Sequence, residues 1–421
     1  MAWPGEKTSF RLQGSLGRVI LASPVTRRPA LAILFVIVFI DLLGFGMVIP
    51  LMPLYARELG ASEAFTGLLS TGYSAMQFLF APIWGRLSDR VGRRPVLLVS
   101  IFMTAAAFLV YGVASSFTVL LASRLFAGAA TANIAIARAY VADVTAPGDR
   151  ARGMGLIGAA FGLGFVLGPL AGSVLSRTSL AAPGLAAAAL AAANGLLAVV
   201  VLPEPEERSV RARAAQGRFT SFLREMRRPG IRRLVLVYFV SVLAFSAMEA
   251  TYAFLASLRY GIDLAHVGYL FGYIGILVVL VQGGLIGPLT RRFGEVNLLV
   301  AGTVLQGVAL AALPFGGNLT GLLLATAPLA IGAGASQPAL SSLLSRLARS
   351  EEQGGTLGLG ESAAAMGRIL GPEAGTFTFG RWWQAFPYLV GGGLMLLAAV
   401  VGSTLRRPAD SVGVLDAQRS S

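Results

Sequence analysis

Gly85-Arg86-Leu87-Ser88-Asp89-Arg90-Val91-Gly92-Arg93-Arg94-Pro95 joins two apolar runs, Phe65 to Trp84 and Pro95 to Ala114. Each run has the length a helix needs to cross a bilayer core, about 20 residues. The connector is too short for a domain and too charged for lipid, so it reads as a tight turn at a membrane face. Its arginines place it on the cytoplasmic side, where positively charged loops accumulate. Gly85 and Gly92 supply the close packing or positive φ that such a turn needs. Asp89 is a lone acid among bases.

Composition points the same way. Of 421 residues 55% are hydrophobic, only 13% are charged, and 52 are glycine. Glycine-rich, charge-poor sequence suits membrane helices whose backbones approach closely. The net charge of +14 could suggest a nucleic-acid partner, but Lys7 is the single lysine and the placement of the arginines decides otherwise. The chain has no cysteine, which excludes disulfides and thiolate chemistry. Met1 to Pro29 carries five basic residues ahead of an apolar run longer than the 7–15 residues or so of a signal peptide, so an uncleaved first span is expected.

Hydropathy predicts twelve helical spans: 30–52, 65–84, 95–114, 117–142, 154–175, 180–202, 234–258, 267–289, 296–315, 319–344, 355–379 and 386–405. With the N-terminus inside, 27 of the 34 basic residues fall on inner segments, four on outer loops (Arg57, Arg177, Arg259, Arg381) and three in spans (Arg124, Arg138, Arg368). Such a bias predicts a multi-pass protein of the cell (inner or plasma) membrane with both termini cytoplasmic. It also makes the charge an orientation pattern, with no nucleic acid as partner.

The expected organisation is a cytoplasmic segment 1–29, a six-helix bundle 30–202, a cytoplasmic linker 203–233, a second bundle 234–405 and a tail 406–421. Within the linker, Phe219 to Met226 reads as a solvated stretch or a short amphipathic helix. The bundles repeat each other. GLIGAAFGLGFVLGPLAGS from Gly155 and GLGESAAAMGRILGPEAGT from Gly358 agree at nine of nineteen positions, 203 residues apart. GRLSDRVGRRPVLL from Gly85 recurs as GPLTRRFGEVNLLV from Gly287. Both copies begin inside, the parallel arrangement that relates the halves of some transporter folds. Arg291 stands where Asp89 does, so an asymmetric inner gate is expected.

An ionisable group in hydrocarbon costs roughly 2.5–3.5 kcal/mol on insertion scales, so each one needs a reason. At about 1.5 Å per residue, Asp41 lies ~18 Å above the inner face, and Arg124 and Arg368 lie at ~20 Å. Asp41 and Arg124 are expected to pair, either for coupling and substrate or as a structural ion pair. Glu249 lies ~24 Å up, with Met248 and Tyr252 as a cavity wall fit for an aromatic or cationic guest. Gln77 is a midplane candidate for the path. Glu361 shares a stripe with Arg368, and it and Glu373 read as packing carboxylates. His266, the only histidine, reads as an interface residue at the outer mouth. No metal-ligand spacing, phosphate loop or nucleophile–base set occurs, so no cofactor and no enzyme activity are expected.

Residues Gly85 to Arg94, as G-x-L-x-D-R-x-G-R-R, resemble the loop signature between the second and third helices of the major facilitator superfamily. Gly155, Gly164, Gly168, Pro169 and Gly172 resemble that family's antiporter motif, with Ser173 in place of the last glycine. Arg124 to Gly128 resembles the fourth-span R-x-x-Q-G motif, with Ala127 for glutamine. Ala139 to Gly155, and the first span from Asp41 to Pro50, are similar to the tetracycline-type drug/proton antiporter branch. The resemblance covers essentially Ala30 to Leu405. It implies that Arg124 tunes protonation of Asp41. It further implies an inner latch in which Gly85, Asp89, Arg90, Gly92, Arg93 and Asp143 take part, closing on the start of the eleventh helix.

The expected fold is therefore all-α, with twelve transmembrane helices in two six-helix bundles related by a parallel repeat. The expected function is monomeric, proton-coupled efflux of a small amphipathic, drug-like compound, with the bilayer, protons and the substrate as partners. A metabolite facilitator for a sugar or an amino acid is the nearest alternative. A receptor that kept the fold without transport is more remote.

Overall fold

The computed structural model describes residues 24–131, 133–145, 150–204, 226–348 and 353–406. Residues 1–23, most of the linker with all of its Phe219–Met226 stretch but Met226, and the tail from 407 lie outside the described residues.

The chain is all-helical. The first helix runs Pro24–Val48 and continues through Ile49–Leu51 into Met52–Glu58. Then come the second (Gly67–Val91), the third (Arg93–Gly112), a fourth in two pieces (Phe117–Ala130 and Asn133–Val144), the fifth (Arg150–Ser176) and the sixth (Ala182–Val201). The second half gives the seventh (Pro229–Tyr260) and an eighth from Leu264–Leu280 through a wider turn at Val281–Leu285 into Ile286–Phe293. The ninth (Glu295–Ala312), tenth (Leu319–Leu347), eleventh (Gln353–Arg381) and twelfth (Phe386–Ser403) complete it. Among the described residues ten of these are long and apolar enough to cross a membrane. The second and eleventh are not among the ten, and they meet each other across the two halves through Gly67 and Thr376.

Two expectations are corrected. The Gly85–Pro95 connector is not an eleven-residue turn, because the second helix runs on through Val91 and Gly92 alone, at φ +121°, leaves the helical region. Ser88 is buried while Arg86, Asp89 and Arg90 are exposed, so the helix leaves lipid as an amphipathic end without unwinding. Gly85 is an ordinary helical residue there. The third helix starts at once, and Glu204 caps it by accepting from the N–H groups of Arg93 and Arg94 at 2.8 and 3.0 Å. A carboxylate at free helix N–H groups is favoured by both hydrogen bonding and the helix dipole. Gly294, at φ +77°, makes the matching turn in the second half.

The second correction concerns the fourth span, expected to be unbroken. It breaks at Thr131, whose ψ of 99° is extended. The freed carbonyls find side chains: Trp84 Nε1 donates to Ala129 O at 2.6 Å and Ser100 Oγ to Ala130 O at 2.6 Å. Those partners lie on the second and third helices, which is why the break is stable inside an apolar protein.

The repeat is visible in the packing. A Cβ at Gly164 would stand 2.6 Å from Leu42 Cβ, and one at Gly168 2.7 Å from Gly46 Cα. At the equivalent positions, Gly367 and Gly371 meet Leu243 at 2.8 and 2.6 Å. Glycine thus lets the fifth helix touch the first, and the eleventh touch the seventh, backbone to backbone. The fifth helix continues through Pro169.

The apolar core has a lopsided shape. At the end remote from Gly92 one core joins both halves, from Val48, Tyr55 and Leu69 to Tyr252, Phe254 and Leu313. At the Gly92 end it separates into two, one around Leu34, Leu97 and Tyr140, the other around Leu234, Leu299 and Leu340. The halves are joined at one end and parted at the other.

Candidate functional site

Asp41 sits in the first helix, 8% exposed, and its Oδ1 accepts from Asn133 Nδ2 at 2.8 Å. Asn133 opens the second piece of the fourth helix and is 1% exposed. The expected pairing of Asp41 with Arg124 is not found. Arg124 is 2% exposed, and its guanidinium carbon lies 4.7 Å from the Tyr111 ring centroid and 5.5 Å from that of Phe108. Its Nε donates to Ser123 Oγ at 3.3 Å, while one terminal nitrogen has no partner. Two ring faces of the third helix hold the cation, an arrangement worth about 2 kcal/mol when desolvated.

Between these groups stands Tyr73 of the second helix. Its hydroxyl donates to Thr131 at the helix break, 3.2 Å away, and its ring lies 5.4 Å from that of Phe45. Asp41, Arg124 and Arg368 all come within electrostatic reach of that hydroxyl. Arg368, half-buried on the eleventh helix, acts in the same way on Glu249. Arg368 thus lies within reach of Tyr73 on the second helix and of the acid of the seventh, without an ion pair to that acid among the described residues. Gln77 is half-buried one helical turn beyond Tyr73.

Glu249 lines a cavity of about 170 Å³ between the halves. Gly46, Ile49, Phe165, Phe245, Met248 and Phe271 are among its walls, and Glu249 is the one ionisable side chain in the lining. Tyr252 is not part of this wall, contrary to expectation. It is fully buried, shares a 2.7 Å hydrogen bond with Thr326, and packs edge-on behind Phe271. At 100° per residue position 252 shares a face with 245 and 249, so it is its place about one turn further along the helix, against Phe271, that keeps it out of the wall.

At the Gly92 end, Arg93 Nη1 meets Asp89 at 2.6 Å and Arg93 Nε meets Asp143 at 2.9 Å. Ser88 Oγ accepts from the same guanidinium at 2.7 Å. Arg90 is exposed and stands outside this cluster. The expected hold on the start of the eleventh helix is absent among the described residues; the cluster closes on its own half, as the parted cores require. Glu361 is exposed and makes no ion pair with Arg368 among the described residues, and a Cβ at Gly155 or Gly158 would meet nothing within 4 Å. The other span arginine, Arg138, is exposed.

The remote end is sealed by a pair of equivalent contacts. Gly67 N–H donates to Thr376 Oγ1 at 3.1 Å, and Gly268 N–H donates to Ser173 Oγ at 2.9 Å. Ser173, the departure from the glycine of the motif, thus has a hydroxyl's work to do across the two halves. Thr71 donates to Ile369 O at 2.7 Å, and Arg177 to Tyr269 at 3.1 Å. His266 is exposed nearby, 3.7 Å from Asp263. Glu373, beside Gly67, keeps one carboxylate oxygen buried and without a partner. No group of three histidines or carboxylates that could hold a metal ion occurs among the described residues.

Sequence reasoning missed Asn133, Tyr73, Glu204 and Thr376, because none is charged in a span or part of a spacing rule, and it met Ser173 only as a departure from a motif. The polar Asn133 following Ala-Ala-Thr-Ala in an otherwise apolar span was the available signal for the break.

Comparison with known proteins gives consistent relatives. The family model described as Major Facilitator Superfamily matches residues 34–286 and 283–419. The class C tetracycline resistance protein of Escherichia coli is 33% identical over 379 residues, 87% of this chain and 95% of that protein. The class G protein of Vibrio anguillarum is 32% identical, over 90% of this chain and 98% of its own. Among solved structures, the human organic anion transporter MFSD10 (TETRAN) matches with a TM-score of 0.67 and 27% identity, covering 89% of this chain and 99% of that one.

Proposed function

The chain belongs to the Major Facilitator Superfamily, and from that premise we propose that it exports a small lipophilic cation or zwitterion in exchange for protons. It is a multi-pass membrane transporter and not an enzyme. The observation that carries the finer reading is the apolar, aromatic cavity between the halves with Glu249 as its one ionisable lining residue. Such a wall attracts a flat apolar body, and the carboxylate selects its positive charge. Asp41, sequestered within the first half, serves as the coupling acid, while Glu249 meets the substrate. With the Gly92 end cytoplasmic, as its arginines favour, the conformation is inward-facing. Rocking of the halves would then break the Gly67–Thr376 and Gly268–Ser173 contacts and bring the Arg93 cluster to the eleventh helix. The similarity to tetracycline resistance proteins supports export of a drug-like compound.

A second reading has its own support. Arg368 lies within electrostatic reach of Glu249, and one relative is named an organic anion transporter, so an anionic substrate would be drawn to Arg368.

Transport by proteoliposomes separates the two. The panel is tetraphenylphosphonium, tetracycline and an aromatic carboxylate. The cation reading expects uptake of the first two, with Glu249→Gln lowering it by about tenfold or more, the scale of one lost charge contact. Uptake of the carboxylate alone, abolished by Arg368→Gln and unaffected by Glu249→Gln, would replace it.

A further inference from the structure

Asn133 is the first residue of a helical piece that ends at Asp143 and Val144. One end of this piece therefore holds the buried acid, and the other holds Arg93. The two ends lie about 15 Å apart along a single helix, short enough to move as one body. Above Asn133 the fourth helix is interrupted at Thr131, so the piece is not tied to Arg124 by continuous helix hydrogen bonds.

The amide itself is half used. Nδ2 donates to Asp41 Oδ1, while Oδ1 of Asn133 is buried and has no partner. An ionised carboxylate can only accept, so it takes the amide N–H. A protonated one carries a hydroxyl that must donate, and the idle Asn133 Oδ1 is an acceptor already at hand. The proton that arrives on Asp41 thus changes which atoms join the first helix to the lower fourth helix. Tyr73 of the second helix is the titratable group within electrostatic reach of Asp41, and Arg124 of the fourth helix and Arg368 of the eleventh act in turn on Tyr73. None of them hydrogen-bonds Asp41 among the described residues. Asn194 of the sixth helix also meets the first helix, but its Nδ2 donates to Ile37 O at 2.9 Å and not to Asp41, and its own Oδ1 is likewise without a partner.

We propose that Asn133 is the positioning residue that reads the protonation of Asp41 and passes it, through the rigid piece 133–144, to the Asp143–Arg93 contact at the Gly92 end. This rests on Asp41 being the coupling acid. No bond is made beyond a proton moving onto or off Asp41 and the exchange of its hydrogen-bond partner atom.

The test needs no substrate. Full-length protein in nanodiscs is compared as wild type, Asp41→Asn, Asn133→Leu and Asn133→Gln. Infrared difference spectra between acid and alkaline pH identify the Asp41 carboxyl band as the one missing in Asp41→Asn. That band should move to higher wavenumber in Asn133→Leu, as for a carboxyl that has lost its acceptor, and return in Asn133→Gln. Spin labels on cysteines replacing Val91 and Arg138, both exposed, report the distance between the second helix and the piece. Wild type should show a distance change with pH that Asp41→Asn and Asn133→Leu both lose and Asn133→Gln regains. A band that stays put in Asn133→Leu, or a distance change that survives there while Asp41→Asn abolishes it, overturns the inference. A distance change that survives in Asp41→Asn sinks the coupling assignment beneath it instead. If Asn133→Leu fails to fold, Asn133→Ser takes its place and must shift the same band.

Discussion

Arg93 Nε donates to Asp143 Oδ2 across 2.9 Å, and the second half makes the same contact with its charges exchanged, Arg346 Nη1 to Glu295 at 3.0 Å. Glu295 opens the ninth helix as Arg93 opens the third, and Arg346 closes the tenth as Asp143 closes the fourth. Ser342 donates to Glu295 at 2.6 Å, as Ser88 accepts from Arg93 at 2.7 Å. The asymmetry expected from the loss of an acid at Arg291 is therefore a reversal of polarity. The backbone accepts either sign at this joint.

It follows that reversing Arg93 alone should hurt more than reversing both partners. Arg93→Glu leaves a half-buried Asp143 facing a like charge and should cost about 1–3 kcal/mol. The double variant Arg93→Glu with Asp143→Arg should recover most of that loss. Asp89, 2.6 Å from Arg93, keeps the recovery short of complete. Thermal unfolding in detergent reads both; equal losses in the single and double variants would refute the exchange.

Much of this fold is legible in the sequence, for physical reasons that particular residues make plain. Twelve runs of apolar residues follow from bilayer thickness, and the repeat from Gly164, Gly168 and Gly172 matching Gly367, Gly371 and Gly375, which meet the same neighbours in each half. The depth of Asp41, Arg124 and Arg368 could be counted at a fixed rise per residue. Rotation and partners could not. Arg124 faces Tyr111 because an aromatic pair on the third helix offers it two ring faces, something no spacing within the fourth helix encodes. The break at Thr131 depends on Trp84 and Ser100, far away in the chain. Tyr252 has the phase of the lining residues Phe245 and Glu249, but it stands about one turn further along the seventh helix, against Phe271, and so falls outside the cavity wall.

Glycine substitutions should sort by what each Cβ meets. Gly168→Ala puts a methyl 2.7 Å from Gly46 Cα and 2.9 Å from Leu43 O, backbone atoms that cannot step aside. Overpacking of this kind costs typically about 1–3 kcal/mol. Gly155→Ala meets nothing within 4 Å and should be neutral or stabilising by up to about 1 kcal/mol through helix propensity. Unfolding midpoints of the two variants should move in opposite directions or differ clearly in size. Equal midpoints would mean that the fifth and first helices do not touch as described.

The paired hydroxyl contacts at the sealed end make a further prediction. Removing both, as Ser173→Ala with Thr376→Val, should loosen the seal and shift the population toward the state open at that end. Each lost hydrogen bond is worth about 0.5–1.5 kcal/mol, so the pair could change the ratio of states by roughly tenfold. The chain has no cysteine, so labels at Ser62→Cys and Arg381→Cys would be the only ones. Their spin–spin distance distribution should gain a longer component in the double variant. An unchanged distribution would mean that the seal rests on the apolar core and not on these hydroxyls.

The central claim is that a proton on Asp41 drives transport. Its most direct measurement is substrate-driven proton movement in proteoliposomes with a trapped pH-sensitive dye, wild type against Asp41→Asn, using tetraphenylphosphonium and tetracycline as substrates. The account predicts proton flux on substrate addition in the wild type and none in Asp41→Asn, with substrate exchange at equal pH preserved in both. Proton flux of wild-type size in Asp41→Asn would contradict it and move the coupling proton to another acid, Glu249 first.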